Sequence, residues 1–63
     1  MEHALFINRD KAVIVGQAAI EANRAVHTFS TKFTRFGRNV GYIVETYDVI
    51  GEYHHTVTEG EIA

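Results

Sequence analysis

The chain has 63 residues, a formal net charge of −2, 46% hydrophobic and 22% charged residues, and neither Cys nor Pro. This length allows one domain, 1–63, and the composition is globular rather than disordered. Without Cys, disulfides and thiolate metal sites are excluded. There is no membrane-length apolar run, no basic signal-peptide start and no Asn-X-Ser/Thr site, so we expect a cytoplasmic protein. The initial Met1 and the lack of a truncated element predict a complete small gene product.

The small size of the chain limits its stability. Apolar burial in a domain of this length contributes about 90 kcal/mol. Ordering the chain costs about 95 kcal/mol, so the two effects nearly cancel. Small domains gain further stability from disulfides, a metal or a partner subunit. In a chain without Cys, this balance predicts oligomerisation or a partner protein.

The N-terminal quarter contains two apolar runs, 4–7 and 12–15, on either side of the polar residues 8–11. This pattern predicts a β-hairpin. The rival interpretation begins a helix at Asn8. That helix would contain three consecutive β-branched residues followed by Gly16, and both features are unfavourable in a helix. The hairpin is therefore the preferred prediction.

After Gly16, apolar residues recur at steps of three and four from Ala18 to Phe36, opposite a polar stripe. The spacing predicts an amphipathic helix over about 17–36, ended by a left-handed Gly37. The segment 30–34 contains three Ser and Thr residues, which are weak helix formers. The alternative therefore ends the helix near Phe29 and leaves 30–36 extended.

The C-terminal third is rich in β-branched and aromatic residues. It predicts a strand over 40–50, a turn at Gly51-Glu52, and a fourth strand over 53–58, which could instead pair only with a partner. Residues 59–63 are predicted to form a flexible tail. The predicted fold is a small α+β domain of order ββαβ(β), an antiparallel sheet with one amphipathic helix on one face.

Both faces of the predicted sheet are apolar, and a single helix covers only one of them. The other face is predicted to be an interface, completed by homo-oligomerisation. Two rival explanations stay open, namely that the chain after residue 51 folds across this face or that the strand register differs. The residues predicted to bind a partner are Phe6, Val13, Val15, Ile43, Glu45, Tyr47, Asp48, Val49 and Glu52.

The charges are segregated, with +4 over residues 22–44 and −5 over residues 45–63. The acidic segment suits a basic protein surface or the basic segment of a second copy, but could equally be a solubilising edge. The basic segment suggests an alternative function, a dimeric nucleic-acid-binding protein using a basic helix over 24–38. A solvated helix face explains the same charges, and the acidic segment would repel a polyanion. The residues of this alternative are Arg24, Lys32, Arg35 and Arg38.

The sequence contains no recognisable catalytic or metal-binding motif. Ser30 follows His27 at a common helical spacing without a G-x-S-x-G context. His54 and His55 are neighbours on a predicted strand and should point to opposite faces, so they should not chelate one ion together. We therefore predict no cofactor and no enzymatic activity. The predicted function is a small protein–protein interaction module, a homodimeric regulator or inhibitor of a larger protein, of a type common in phage and mobile-element genomes.

Overall fold

The computed structural model describes residues 3–62. It contains one α-helix, α1 (Arg9–Ala22), three strands, β1 (Thr28–Phe36), β2 (Asn39–Tyr47) and β3 (Tyr53–Thr56), and a short 3-10 helix at Glu59–Glu61. The strands form an antiparallel sheet in the order β1-β2-β3, and α1 packs against β1 and β2. The predicted α+β class and antiparallel sheet are confirmed. The predicted ββαβ order is wrong, because the helix precedes all three strands.

The predicted N-terminal hairpin is wrong, and the rival helix beginning at Asn8 is the element observed. The Asn8 side chain caps α1 by accepting a hydrogen bond from the Lys11 amide at 2.9 Å, and Asp10 lies in the first turn. Gly16 is buried so tightly against the Phe29 ring that an added Cβ would lie 2.2 Å from it. This packing outweighs the helix penalty of glycine, about 1 kcal/mol.

The predicted helix over 17–36 is also wrong beyond Ala22. The Asn23 side chain accepts a hydrogen bond from the Ala25 amide at 2.9 Å, a local turn that ends α1. Six of the nine residues of β1 are Thr or Phe, which favour strands. The alternative that left 30–36 extended is therefore correct for those residues. Gly37, with φ of 63°, begins the two-residue turn between β1 and β2 instead of capping a helix.

The C-terminal strands are shorter than predicted. Strand β2 ends at Tyr47, and the Asp48 carbonyl then accepts a hydrogen bond from the Gly51 amide at 3.0 Å. The turn is centred on Val49 and Ile50, two residues earlier than the predicted Gly51-Glu52. Strand β3 ends at Thr56, after which Val57 accepts a hydrogen bond from the Ala4 amide. Residues 59–61 form the 3-10 helix. The flexibility predicted for 59–63 stays a prediction, and Ala63 lies outside the described residues.

The core lies between α1 and one face of the sheet. The N-terminal segment 3–6 runs beside β2, where Phe6 and Tyr42 exchange backbone hydrogen bonds of 2.9 and 2.8 Å. Side chains alternate between the two faces along a strand, so every second side chain points away from α1. No helix within residues 3–62 covers that second face. The buried core residues are Ala4, Phe6, Ala12, Val44 and Val57.

Candidate functional site

We define the open face as the side of the sheet that points away from α1. Phe29 contacts α1 at Gly16, so its neighbour Ser30 points to the open face, and residues directly opposite in register share that face. Ile43 lies near the centre of this face and is only 7% exposed. The open face includes Ser30, Lys32, Ile43, Glu45, Tyr47, Tyr53 and Thr56.

Two tyrosines dominate one end of the open face. The rings of Tyr47 and Tyr53 meet edge to face, with centroids 6.3 Å apart. The Tyr47 hydroxyl lies 3.3 Å from Ser30 Oγ and donates to Glu45 Oε1 at 3.5 Å. The Tyr53 hydroxyl lies 2.6 Å from Thr56 Oγ1. These contacts fix two amphipathic rings on a surface without a helix, a composition typical of protein–protein interfaces.

We define the β2–β3 tip as residues 48–52, which continue from this aromatic pair. Asp48 Oδ1 accepts hydrogen bonds from the amides of Ile50, at 3.1 Å, and Glu52, at 2.9 Å. The Asp48 amide donates to the Glu52 carbonyl at 2.9 Å. Val49 and Ile50 are nevertheless 75% and 73% exposed. The tip is therefore a hydrogen-bonded turn that holds two large apolar side chains in water.

The charges at the two ends of the sheet are opposite. Exposed Arg35 and Arg38 lie at the β1–β2 turn, whereas Asp48 and Glu52 lie at the β2–β3 tip. Strand β2 joins the two ends over nine residues, or about 30 Å at about 3.4 Å per residue. A partner surface that receives the apolar tip would therefore be favoured by basic groups at its rim.

The structure divides the residues predicted to bind a partner into three groups. Ile43, Glu45 and Tyr47 lie together on the open face, as the alternation of β2 requires. Asp48, Val49 and Glu52 lie at the adjoining tip. The other three lie elsewhere, because the segment predicted as a hairpin is the helix α1, preceded by residues 3–7, which form isolated β-bridges and no strand. Phe6 is a core residue, Val15 packs against the core, and Val13 is half-buried on α1.

The basic helix predicted over 24–38 is absent, so its four cations do not share one face. Arg24 lies in the turn after α1, and Arg38 lies in the β1–β2 turn. Lys32 and Arg35 are three residues apart on β1, so they point to opposite faces of the sheet. The fold therefore separates the cations that the nucleic-acid alternative needs.

Tyr53 and Ile50 belong to the site but escaped the sequence analysis. The pairing of β2 with β3 is irregular, because Thr46 opposes His55 whereas Tyr47 opposes Tyr53, which leaves His54 as an extra residue. Simple alternation would place His54 opposite Tyr47, and no feature of the sequence indicates the bulge. Ile50 was assigned to a strand, so its exposure in a turn could be recognised only from the position of Gly51.

The bulge also corrects the prediction for the two histidines. His54 and His55 do not point apart, since their Nδ1 atoms lie 2.7 Å from each other. His55 Nε2 lies 2.8 Å from Glu61 Oε1, and Glu61 Oε2 accepts a hydrogen bond from the Thr58 amide at 2.8 Å. Burial raises the pKa of Glu61, but these hydrogen bonds outweigh it and hold that pKa below its ordinary value. Within residues 3–62, no three His, Asp or Glu side chains are grouped to hold a metal ion.

A groove of about 320 Å³ separates α1 from β3 and the 3-10 helix. Its walls are mainly apolar, with Val15 and Ala19 on one side and Val57 and Ile62 on the other. The polar contact between His55 and Glu61 lies at its edge. It is a second candidate surface, on the helix-covered side of the sheet.

Comparison with protein families, curated proteins and solved structures found no match. None of the helices in the described part of the chain is both long and apolar enough to span a membrane.

Proposed function

We propose that this chain is a non-enzymatic protein–protein interaction module that acts in the cytoplasm as a homodimer and regulates or inhibits a larger protein. In this proposal the β2–β3 tip and the adjoining part of the open face contact the larger protein. A second copy of the chain completes the sheet. Both parts of the proposal use surfaces on which apolar or hydrogen-bonding groups of the described chain are left exposed.

The observation that supports docking most strongly is the exposure of Val49 and Ile50. Large apolar side chains in a mobile loop can fold back onto the protein surface, but the two hydrogen bonds accepted by Asp48 oppose this at the tip. An apolar projection held in water is stabilised when it enters a pocket of another protein. The neighbouring rings of Tyr47 and Tyr53 extend the same surface.

The charge around the tip indicates the chemistry of the larger protein. Glu52 is exposed beside Val49 and Ile50, and Glu45 is half-buried on the adjoining open face. A complementary surface would offer an apolar pocket with Lys or Arg at its rim. Rim charges mainly change the association rate, so this contact should weaken as the salt concentration rises.

Affinity capture with matched variants tests the docking surface. The wild-type chain is immobilised beside the double variant Val49→Ser/Ile50→Ser, and the control is Ile14→Ser, which changes an equally exposed apolar residue on α1. The proposal expects one protein to be retained by the wild type and by the control but lost from the tip variant. Retention by all three chains, or no specific retention by the wild type, would reject the docking surface.

Nucleic-acid binding by Arg24, Lys32, Arg35 and Arg38 stays the alternative prediction. The separation of these side chains by the fold does not favour it, and acidic groups at the tip would oppose a polyanion. A gel-shift titration at low salt distinguishes the two functions. A shift that is lost when Arg35 and Arg38 are replaced by Gln would support the alternative.

A further inference from the structure

We propose that two copies of the chain pair through strand β1, antiparallel and with the two-fold axis at Thr31, to form one six-stranded sheet. This inference rests on the proposed function, because it names the interface of the proposed homodimer. Strand β1 has nine residues, lies at the edge of the sheet and, within residues 3–62, pairs only with β2. A long unpaired edge is a template for a further strand.

The hydrogen bonds of β2 show which backbone groups of β1 point away from β2. Tyr42 directs both its amide and its carbonyl to Phe6, on the side of β2 remote from β1. Phe33 is opposite Tyr42, so this is a non-hydrogen-bonded pair and Phe33 directs its own amide and carbonyl outward. The amide and carbonyl groups of every second residue of β1 point in this same direction. The outward-directed backbone groups therefore belong to Phe29, Thr31, Phe33 and Arg35.

The side chains of these residues are self-complementary about Thr31. A two-fold axis at Thr31 places the two Thr31 residues opposite each other. It also places Phe29 of each copy opposite Phe33 of the other copy. Phe33 is 61% exposed in the single chain, and Phe29 is half-buried. The Phe33 ring meets the Tyr42 ring edge to face but stays largely exposed, so pairing would cover more of it. Pairing would also form about six backbone hydrogen bonds between the copies.

The charges favour this register over an axis at Lys32 or at Phe33. With the axis at Thr31, Lys32 of the second copy is opposite Ser30, and Ser30 is opposite Glu45 in the same cross-strand row. The small Ser30 leaves space for the ammonium group to reach the carboxylate, whose Cα lies two strands away, about 10 Å. An axis at Lys32 would instead oppose two lysines, which is unfavourable. An axis at Phe33 would place Lys32 opposite Thr34 and Gly41, where there is no acid.

The charge pair can be tested by exchanging its members. Lys32→Glu and Glu45→Lys should each raise the dimer dissociation constant about ten-fold, since each reversal opposes like charges at two symmetric positions. The double variant Lys32→Glu/Glu45→Lys restores opposite charges and should return the constant to within about three-fold of the wild type. A double variant as weak as the product of the single variants would overturn the register. Far-ultraviolet circular dichroism confirms that each variant is folded.

Cysteine cross-linking locates the two-fold axis of the proposed dimer directly, because the chain has no Cys that would compete with an introduced one. At the proposed axis the two Thr31 Cα atoms lie about 5.5 Å apart, within disulfide range, whereas the Lys32 pair is diagonal at about 7–8 Å. In oxidised glutathione, Thr31→Cys should therefore cross-link at least ten-fold faster than Lys32→Cys or Phe33→Cys. A faster reaction of either other variant, or equally slow reaction of all three in a sample that light scattering shows to be dimeric, would overturn this interface and leave the dimer itself intact. A monomeric sample would overturn the interface together with the dimeric part of the proposed function. The docking surface is tested separately by the tip variants.

Discussion

The two faces of the sheet are built from adjacent residues of the same strand but have different packing. On the side covered by α1, Val44 is completely buried, and Gly16 allows the helix to approach the Phe29 ring closely. On the open face, Ile43 is 7% exposed although no helix of residues 3–62 lies above it. A single 14-residue helix therefore covers only one face of the sheet formed by residues 28–56.

The two faces of the sheet are expected to differ in role, since one stabilises the fold and the other is left for binding. On the covered side, Ala12, Val44 and Thr46 have an exposure of zero, so changes at these positions should act mainly on folding. The open face, the tip and the free edge of β1 carry exposed rings, acids and backbone groups, so changes there should act mainly on association.

The largest expected effect comes from the buried residue of β2. Val44→Ala removes two buried methyl groups and leaves a cavity beneath α1, which should lower the free energy of unfolding by about 2–3 kcal/mol. Ile43→Ala, one residue away on the open face, should cost less, about 1–2 kcal/mol, because neighbouring side chains and water can fill the space. Urea denaturation measures both. An equal or greater loss for Ile43→Ala would mean that the open face is closed in the folded chain.

A smaller effect is expected at the contact between α1 and β1. Gly16→Ala should lower the free energy of unfolding by about 1–2 kcal/mol, since displacement of the Phe29 ring outweighs the helix propensity gained from alanine. The double variant Gly16→Ala/Phe29→Leu should lose less than the sum of the two single variants, because the smaller side chain relieves the overlap. Thermal unfolding measures all three. Stabilisation by Gly16→Ala would contradict the tight packing of this face.

The smallest expected effect is a pH dependence at the end of the chain. The pKa of Glu61 is lowered below its ordinary value of 4.5 by the Thr58 amide and His55, after burial has raised it. Its ionised form therefore stabilises the fold fully above about pH 4.5, and this contribution is lost as the pH falls through the lowered folded-state pKa. Melting temperatures between about pH 3 and pH 6 should fall less steeply for Glu61→Gln than for the wild type. Glu59→Gln removes the same charge from the same 3-10 helix and controls for net charge. Identical slopes for Glu61→Gln and the wild type would show that Glu61 is not stabilised by these contacts.

Local patterns in the sequence predicted the class of the fold and the position of β2, but not the location of the helix. The spacing of four between Phe29 and Phe33 fits one face of a helix and one face of a strand equally well, so it could not distinguish them. Gly16 is unfavourable in an isolated helix, and its reason is the ring of Phe29, a contact 13 positions away along the chain. Non-local packing of this kind is not visible in periodicity.

Only part of the candidate site could be predicted, again because the rest depends on non-local structure. Ile43, Glu45 and Tyr47 share a face whenever β2 is a strand, so alternation alone brings them together. The position of Tyr53 depends on the bulge at His54, and the exposure of Ile50 depends on hydrogen bonds to Asp48. The partner-binding role assigned to Phe6 and Val15 followed from the hairpin prediction. With the chain from Asn8 helical, Phe6 is a core residue and Val15 packs against the core, so neither lies on the open face.

The mass of the folded chain in solution tests the central claim most directly, namely that the sheet is completed by a second copy. Light scattering at micromolar concentration and low salt should give a mass close to twice the 7.1 kDa of the single chain. That mass should fall towards 7.1 kDa as salt screens the pairing of Lys32 with Glu45. A mass of 7.1 kDa at every concentration, together with a cooperative melt, would contradict the account.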